Sequence, residues 1–201
     1  MTATLWNERY SDDAYHYGTA PNAWLASQGW RLPRTGDALA IADGEGRNGV
    51  WLAQQGLATT SLDQSVKGLD KARALAQQRD VPLATLQADL AHFEWPHAAW
   101  DVIAGIYVHL PAPLRARTHA GCAQALRPGG LLILEAFTPE QMQCHSGGPR
   151  DPALLYTPEL LRGDFPGLDI LELLSGEVLL AEGRGHAGPG RVVRLLAQRR
   201  R

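Results

Sequence analysis

The 201-residue chain is predicted to be an α/β protein: a Rossmann-like, doubly wound, mostly parallel sheet that ends in an antiparallel β-hairpin. Three observations predict this. Short apolar runs alternate with helical patterns through the first two-thirds, the order that parallel strands linked by crossover helices require. One of these runs, "DVIAGI" (101–106), is almost wholly apolar, as in a strand covered on both faces. The last third instead holds two long strand-like stretches, 168–180 and 191–198, separated by the glycine-rich "AEGRGHAGPG". That pattern is a hairpin rather than another strand–helix–strand unit.

The elements follow in order. Residues 1–37 are aromatic and irregular, with a short helix near "PNAWLASQGW". "ALAIA" (38–42) reads as a buried strand, short and apolar. "RNGVWLAQQG" (47–56) reads as a helix, with Asn48 as its N-cap and Gly56 as its C′ stop. "LATTSL" (57–62) is a second strand closing on Asp63. Residues 65–80 are a helix capped by Ser65, with Val66, Leu69, Ala72 and Leu75 or Ala76 on its inner face. "PLATLQ" (82–87) is the third strand and 101–106 the fourth. Pro111 starts a helix through Ala125, with Leu114, Thr118, Cys122 and Ala125 on one stripe. "RPGG" (127–130) breaks it, and "LLILEAF" (131–137) is the fifth strand. The chain is expected to be one domain, 1–201. It divides into an N-terminal cap segment (1–37), a Rossmann-like core (38–137), a lid-like insertion and helix (138–163) and the terminal hairpin (168–198). The polar stretch "HSGGPRDPALLY" (145–156) is a candidate flexible lid and acceptor selector.

Composition narrows the function. Net charge is -2, without the basic excess of a nucleic-acid binder. The closing Arg199, Arg200 and Arg201 read as a solvated end. Two cysteines, Cys122 and Cys144, make no disulfide framework, so a reduced, cytoplasmic setting is expected. No signal peptide or membrane span is expected.

"ADGEGRNG" (42–49) carries the chemistry. Gly44, Gly46 and Gly49 fit G-x-G-x-x-G, a fingerprint that is weak by itself. A pyrophosphate in such a loop is held by backbone N–H groups at a helix start. Asp43 and Glu45 would repel it and suit a cation instead. At 4 Å, one charge pair in a partly screened setting amounts to about 4 kcal/mol before desolvation. Asp63 lies where ligands sit in such sheets, beyond the carboxyl end of a strand. It can accept from both hydroxyls of a ribose, or serve as a helix-start acid favoured by the dipole.

Six segments in order resemble the class I S-adenosylmethionine (SAM) dependent methyltransferases: "DGEGRNGVWLA", "SLDQS", "WDVIAGIYVHLP", "LRPGGLLILE", "YGTAPNAWL" and "AEGRGHAGPGRVVR". The last two are similar to the small-molecule branch related to tellurite-resistance methyltransferases. The resemblance covers nearly the whole chain. It implies SAM as cofactor and S-adenosylhomocysteine (SAH) as product, and cofactor contacts at Tyr17, Asn22, Asp43, Gly44, Glu45, Gly46, Asn48, Asp63, Gln64, Ala88, Asp89, Leu90 and Ile106. Gln64 would line the adenine edge, Asp89 would take its amino group and Leu90 would border the ring. The N-terminal segment closes over the cofactor in this branch, with Tyr17 and Asn22 the residues of interest and Tyr10 packing. Tyr107, Arg150 and His186 would meet the acceptor, and Arg150 equally reads as a solvated loop arginine. Tyr17 and His109 are the catalytic candidates. His109 either orients or deprotonates a nucleophile, its ordinary pKa being close to neutral, or caps a local loop. The chain departs from the pattern at Ala40, where members often carry an acid, and at Ala42, where they often carry glycine. Asp43 or Glu45 is then the candidate for the missing charge.

The expected function is methyl transfer from SAM to a small molecule, a thiol or chalcogen species among the candidates, by in-line displacement. The protein would be a monomer or homodimer, without nucleic-acid or membrane partners and without a metal. Cys144, His145 and His186 lack the spacing of a metal site. A non-catalytic SAM- or nucleoside-binding module is the alternative that Ala40 and Ala42 keep open. An NAD-dependent oxidoreductase fits the acidic loop and the terminal hairpin poorly.

Overall fold

The computed structural model describes residues 2–201. Helices α1 (Ala3–Arg9) and α2 (Ala23–Ser27) precede β1 (Asp37–Ile41). Then come α3 (Arg47–Gln54), β2 (Ala58–Asp63), α4 (Val66–Gln78), β3 (Ala84–Gln87), β4 (Trp100–Ile106), α5 (Ala112–Ala125) and β5 (Leu126–Phe137). Helix α6 (Pro158–Asp164) leads into β6 (Leu168–Glu182) and β7 (His186–Arg199). The seven strands form one sheet in the order β3-β2-β1-β4-β5-β7-β6. Strands β1 to β5 run parallel, and β7 is antiparallel to both of its neighbours. The architecture is the doubly wound sheet and closing hairpin that the sequence predicts.

Successive side chains of a strand point to opposite faces, and the central strands bury both. Leu39, Ile41, Ile103, Leu132 and Leu134 pack with Cys122 of α5 and with Leu161 and Phe165. Ala38, Ala40, Val102, Ala104 and Ile133 pack on the other face with Leu25 and Leu52. This two-sided burial is why β4 is apolar from Val102 to Ile106. Each fully buried leucine or isoleucine stabilises the fold by about 2 kcal/mol. Ser65 caps α4 as expected, its Oγ accepting from the Gly68 N–H at 3.0 Å.

Several boundaries differ from expectation. Helix α1 had no clear signal. Its Asn7 Oδ1 accepts from the Ser65 hydroxyl at 2.7 Å, fastening α1 to the start of α4. The N-cap of α3 is Gly46, at φ +87°, and not Asn48. Asn48 sits in the first turn and spends its Oδ1 on the Asn22 N–H at 2.9 Å. Val66 is 40% exposed, so the inner face of α4 is Leu69, Ala72, Leu75 and Ala76. "RPGG" lies inside β5, which begins at Leu126 and bulges against Trp100 and Val102. Strands β6 and β7 run through most of the glycine-rich stretch, leaving only 183–185 as the turn. The insertion is fastened at both ends. The Ser146 hydroxyl donates to Pro189 O at 2.6 Å, and Tyr156 is fully buried with its N–H on Phe137 O. Among the described residues, no helix is long and apolar enough to cross a membrane.

Candidate functional site

The carboxyl ends of β1, β2, β4 and β5 open onto the glycine loop, under the N-terminal segment and the hairpin tip. The loop turns through positive φ at Ala42, Gly44 and Gly46. A Cβ at Gly44 would stand 2.5 Å from the Tyr10 hydroxyl, so only glycine lets that ring lie across the loop. The two loop carboxylates differ. Glu45 Oε2 accepts from the His16 N–H at 2.8 Å, and Oε1 pairs with Lys71 Nζ at 2.6 Å. Its charge is spent on Lys71 and on fastening the N-terminal segment. Asp43 Oδ2 accepts from the Ser61 hydroxyl (2.6 Å) and the Gly49 N–H (3.0 Å). Its Oδ1 is buried and has no hydrogen-bond partner among the described residues. Burial raises the Asp43 pKa to about 6 against the pull of those two donors.

Asp63 closes β2 with Oδ2 on the Gly44 N–H and Oδ1 on the Ser65 N–H, both at 2.8 Å. Burial raises its pKa, opposed by backbone donors. With the Gln64 backbone N–H as a third donor, one of a carboxylate's about four acceptor positions remains for a ligand hydroxyl. Gln64 beside it is half-buried. Ala88 donates its N–H to Asp63 O at 3.0 Å. Asp89 is exposed and closes a local turn with the Ala91 N–H, while Leu90 is buried in the core.

A second set of groups meets deeper in the site. Glu135 lies opposite Arg194 across β5 and β7 and forms an ion pair with it. Glu135 Oε1 accepts from the Tyr107 hydroxyl (2.6 Å) and from Asn22 Nδ2 (2.7 Å). The same Asn22 amide nitrogen donates to Glu182 Oε1 at 2.8 Å. Glu182 Oε2 pairs with Arg47 Nη2 at 2.9 Å and lies 3.4 Å from His186 Nδ1. Burial opposes the Glu182 charge, yet the His186 hydrogen bond and the Arg47 guanidinium hold its pKa down at about 2. Arg47 Nη1 is buried without a partner among the described residues. Tyr107 follows Ile106, the buried end of β4, at φ +56°. The His186 ring is surrounded by Tyr107, Tyr17 and Phe137 at centroid distances of 4.4, 4.6 and 5.2 Å.

The structure thus brings together Tyr17, Asn22, Asn48, Tyr107 and His186, next to the loop residues 43–46. It does not bring Arg150 in. That side chain is exposed and donates to Met142 O at 3.3 Å. His109 takes the anchoring arrangement of its two expected ones. Leu154 O can only accept, so Nδ1 donates to it at 2.7 Å, and Nε2 accepts from the Phe137 N–H at 3.2 Å. Burial lowers its pKa to about 4, and neither nitrogen is left for a substrate. Sequence reasoning gave no role to Arg47, Glu135, Glu182 or Arg194. A signal existed for Glu135, a lone acid inside "LLILEAF", because a charge in a buried strand needs partners. Among the described residues, no group of three or more His, Cys, Asp or Glu side chains forms a metal site.

The fold and the glycine loop define an α/β protein of the methyltransferase type. Comparison with known proteins gives the same class. Residues 38–130 match the family model described as a methyltransferase domain. No curated protein matches the chain. Among solved structures, one is that of the conversion of a disulfide bond into a thioacetal group during echinomycin biosynthesis. It is 16% identical with a TM-score of 0.76, over 98% of this chain and 92% of that one. TehB from Haemophilus influenzae is 15% identical with a TM-score of 0.72, over 98% and 67%. Magnesium protoporphyrin IX methyltransferase from Synechocystis, with bound SAH, is 18% identical with a TM-score of 0.64, over 98% and 82%. At these identities the structures establish the shared fold. The matched segment, residues 38–130, spans β1 to the start of β5, the part of the sheet that carries the glycine loop.

Proposed function

We propose that this chain methylates a small-molecule acceptor at the carboxyl end of its sheet. The observation that carries the reading is the roof over the site. Residues 12–18 close onto the hairpin tip, with the Gly185 N–H on His16 O at 3.0 Å and Arg184 paired with Asp12. Lys71 Nζ holds the same segment through Asp12 O and Ala14 O. A buried, roofed site of this kind suits a metabolite and not a folded macromolecule.

The residues present fit the cofactor. Two orphaned buried atoms of opposite charge, Asp43 Oδ1 and Arg47 Nη1, sit on the glycine loop and the start of α3. An amino-acid headgroup carries an ammonium and a carboxylate, the complement of that pair. Asp63 would hold a ribose hydroxyl through its remaining acceptor position, with Gln64, Ala88 and Leu90 near the base. Bound there, SAM supplies a methyl group on a sulfonium already activated for displacement. Tyr17, Asn22 and Tyr107 then shape and close the acceptor side, and the closed roof excludes water. The terminal hairpin and "YGTAPNAWL" segment support the branch related to tellurite-resistance methyltransferases, and with it a thiol or chalcogen acceptor.

The test is methyl transfer from labelled SAM to a panel of thiols, selenide, tellurite, phenols, amines, transfer RNA and protein. Small molecules are expected to carry the label. Preferential labelling of RNA or protein would overturn the reading. Tight SAM binding with no label transferred to any acceptor would favour the non-catalytic binding module.

A further inference from the structure

The site holds one imidazole whose surroundings are those of a base and whose outer nitrogen is free. His186 and Glu182 are the closing cross-strand pair of the hairpin, which sets the imidazole beside the carboxylate. Glu182 is fixed from two further sides by Arg47 and Asn22, so it stays in place and ionised. His186 Nδ1 faces Glu182 Oε2, and among the described residues Nε2 has no hydrogen-bond partner. Three aromatic rings enclose the imidazole. Ring faces and a carboxylate both favour the protonated form when it appears. The loop around Gly147 approaches the Nε2 edge so closely that a Cβ there would collide with the ring and with Gly185 O. The Nδ1–Oε2 separation is 3.4 Å, the looser spacing that a base and its orienting group show in unliganded structures.

We propose that His186, oriented by Glu182, takes the proton from the attacking atom of the acceptor, and that the acceptors are protic nucleophiles: thiols, phenols or amines. The inference rests on the functional reading above and deepens it. The lone pair of the acceptor atom forms the new bond to the methyl carbon. The carbon–sulfur bond of the donor breaks, and its electron pair returns to sulfur, leaving a neutral thioether. The proton of the acceptor atom moves to His186 Nε2, and the imidazolium later gives it to water. Glu182 faces the positive charge while it lasts. An acceptor already present as an anion draws no benefit from this pair.

The charge state of His186 answers to groups on every element packed against it. Burial lowers its pKa, Glu182 raises it, Arg47 lowers it and Glu135 raises it. His16 and Tyr17 of the N-terminal segment, Tyr107 after β4 and His109 complete the titratable groups around the ring. Burial is the largest of these influences, so the net direction is downward, towards the neutral ring.

The experiment compares wild type, His186→Gln and Glu182→Gln in SAM-dependent methylation of a thiol, a phenol and an amine. It also measures SAH affinity by calorimetry and the His186 ring titration by nitrogen-15 NMR on the unliganded protein. We expect His186→Gln to lose about 100-fold in turnover with SAH affinity within about two-fold of wild type. The acid limb of the wild-type rate profile should coincide with the ring titration. In Glu182→Gln, both should move to lower pH. Turnover by His186→Gln within about two-fold of wild type, or a rate limb that does not follow the ring titration, would overturn the assignment. If His186→Gln does not fold, the wild-type coincidence of limb and titration decides alone. Failure of wild type to bind SAH or methylate any acceptor would instead remove the functional reading, and the inference with it.

Discussion

Replacing Asp43 by Asn should stabilise this protein and weaken its hold on SAM. Asp43 is 9% exposed and uses one oxygen for Gly49 and Ser61, while the other has no partner. Burial lifts its pKa from 3.8 to about 6. That difference corresponds to a cost of about 3 kcal/mol for keeping the group ionised at neutral pH. The sign follows from proton counting. Between about pH 4 and 6, the folded form holds a proton that the unfolded chain has lost. The stability contribution of Asp43 is therefore greatest below pH 4, falls as pH rises to 6 and is flat above it. Asparagine keeps an oxygen for the same two donors and carries no charge, so the variant lacks this slope. Urea unfolding of both proteins from pH 4 to 7.5 isolates the difference from other carboxyls, Asp63 included. Asp43→Asn should gain on wild type across pH 4–6 and end more stable by about 1 to 3 kcal/mol. If Asp43 pairs with the donor's ammonium, the variant should also bind SAM about 10- to 100-fold more weakly, the loss of one charge-assisted hydrogen bond. Wild-type affinity should rise as pH increases through 6. A variant with the wild-type pH slope, or one less stable at pH 7, would refute the reasoning. A variant that binds SAM normally would refute the ammonium contact.

Three further outcomes follow from the same geometry. Glu45→Gln removes the partner of Lys71 and weakens acceptance from His16, so amide hydrogen exchange at His16 and Tyr17 should accelerate by about 10- to 100-fold, equivalent to about 1 to 3 kcal/mol. His109→Phe leaves Leu154 O and the Phe137 N–H without their partner, so thermal unfolding should report a loss of about 2 to 4 kcal/mol with unchanged SAH affinity in calorimetry. Gly147→Ala places a side chain at φ +106° and against Gly185 O and His186, so the melting temperature should fall by several degrees, equivalent to about 1 to 3 kcal/mol.

The strands of the core and the helices between them were legible because they are written locally. Apolar runs mark β1 and β4 in any environment that covers both faces. Ser65 announces a helix start because its hydroxyl serves the N–H three residues on. The place of Asp63 at the carboxyl end of β2 was legible because an acid closing an apolar run marks a strand end in a parallel sheet. Breakers were the weak point. "RPGG" and "AEGRGHAGPG" read as interruptions, yet ladder pairing with Trp100–Val102 and between β6 and β7 carries strand through both. Local propensity yields there to hydrogen bonds supplied by distant segments.

What the sequence determined by itself is the class of fold, the glycine loop and the end of the sheet at which that loop lies. What only tertiary structure decided is the charge pairing within that site. Arg47, Glu135, Glu182, Arg194 and Asn22 come from five separate segments, and no local spacing links them. The same holds for Asp43 and Glu45, which look alike in the loop. Lys71 on α4 neutralises Glu45, while Asp43 is left with a bare buried oxygen. Periodicity and capping depend on neighbours in the chain, whereas the energy of a buried charge depends on whatever the fold places within about 4 Å of it.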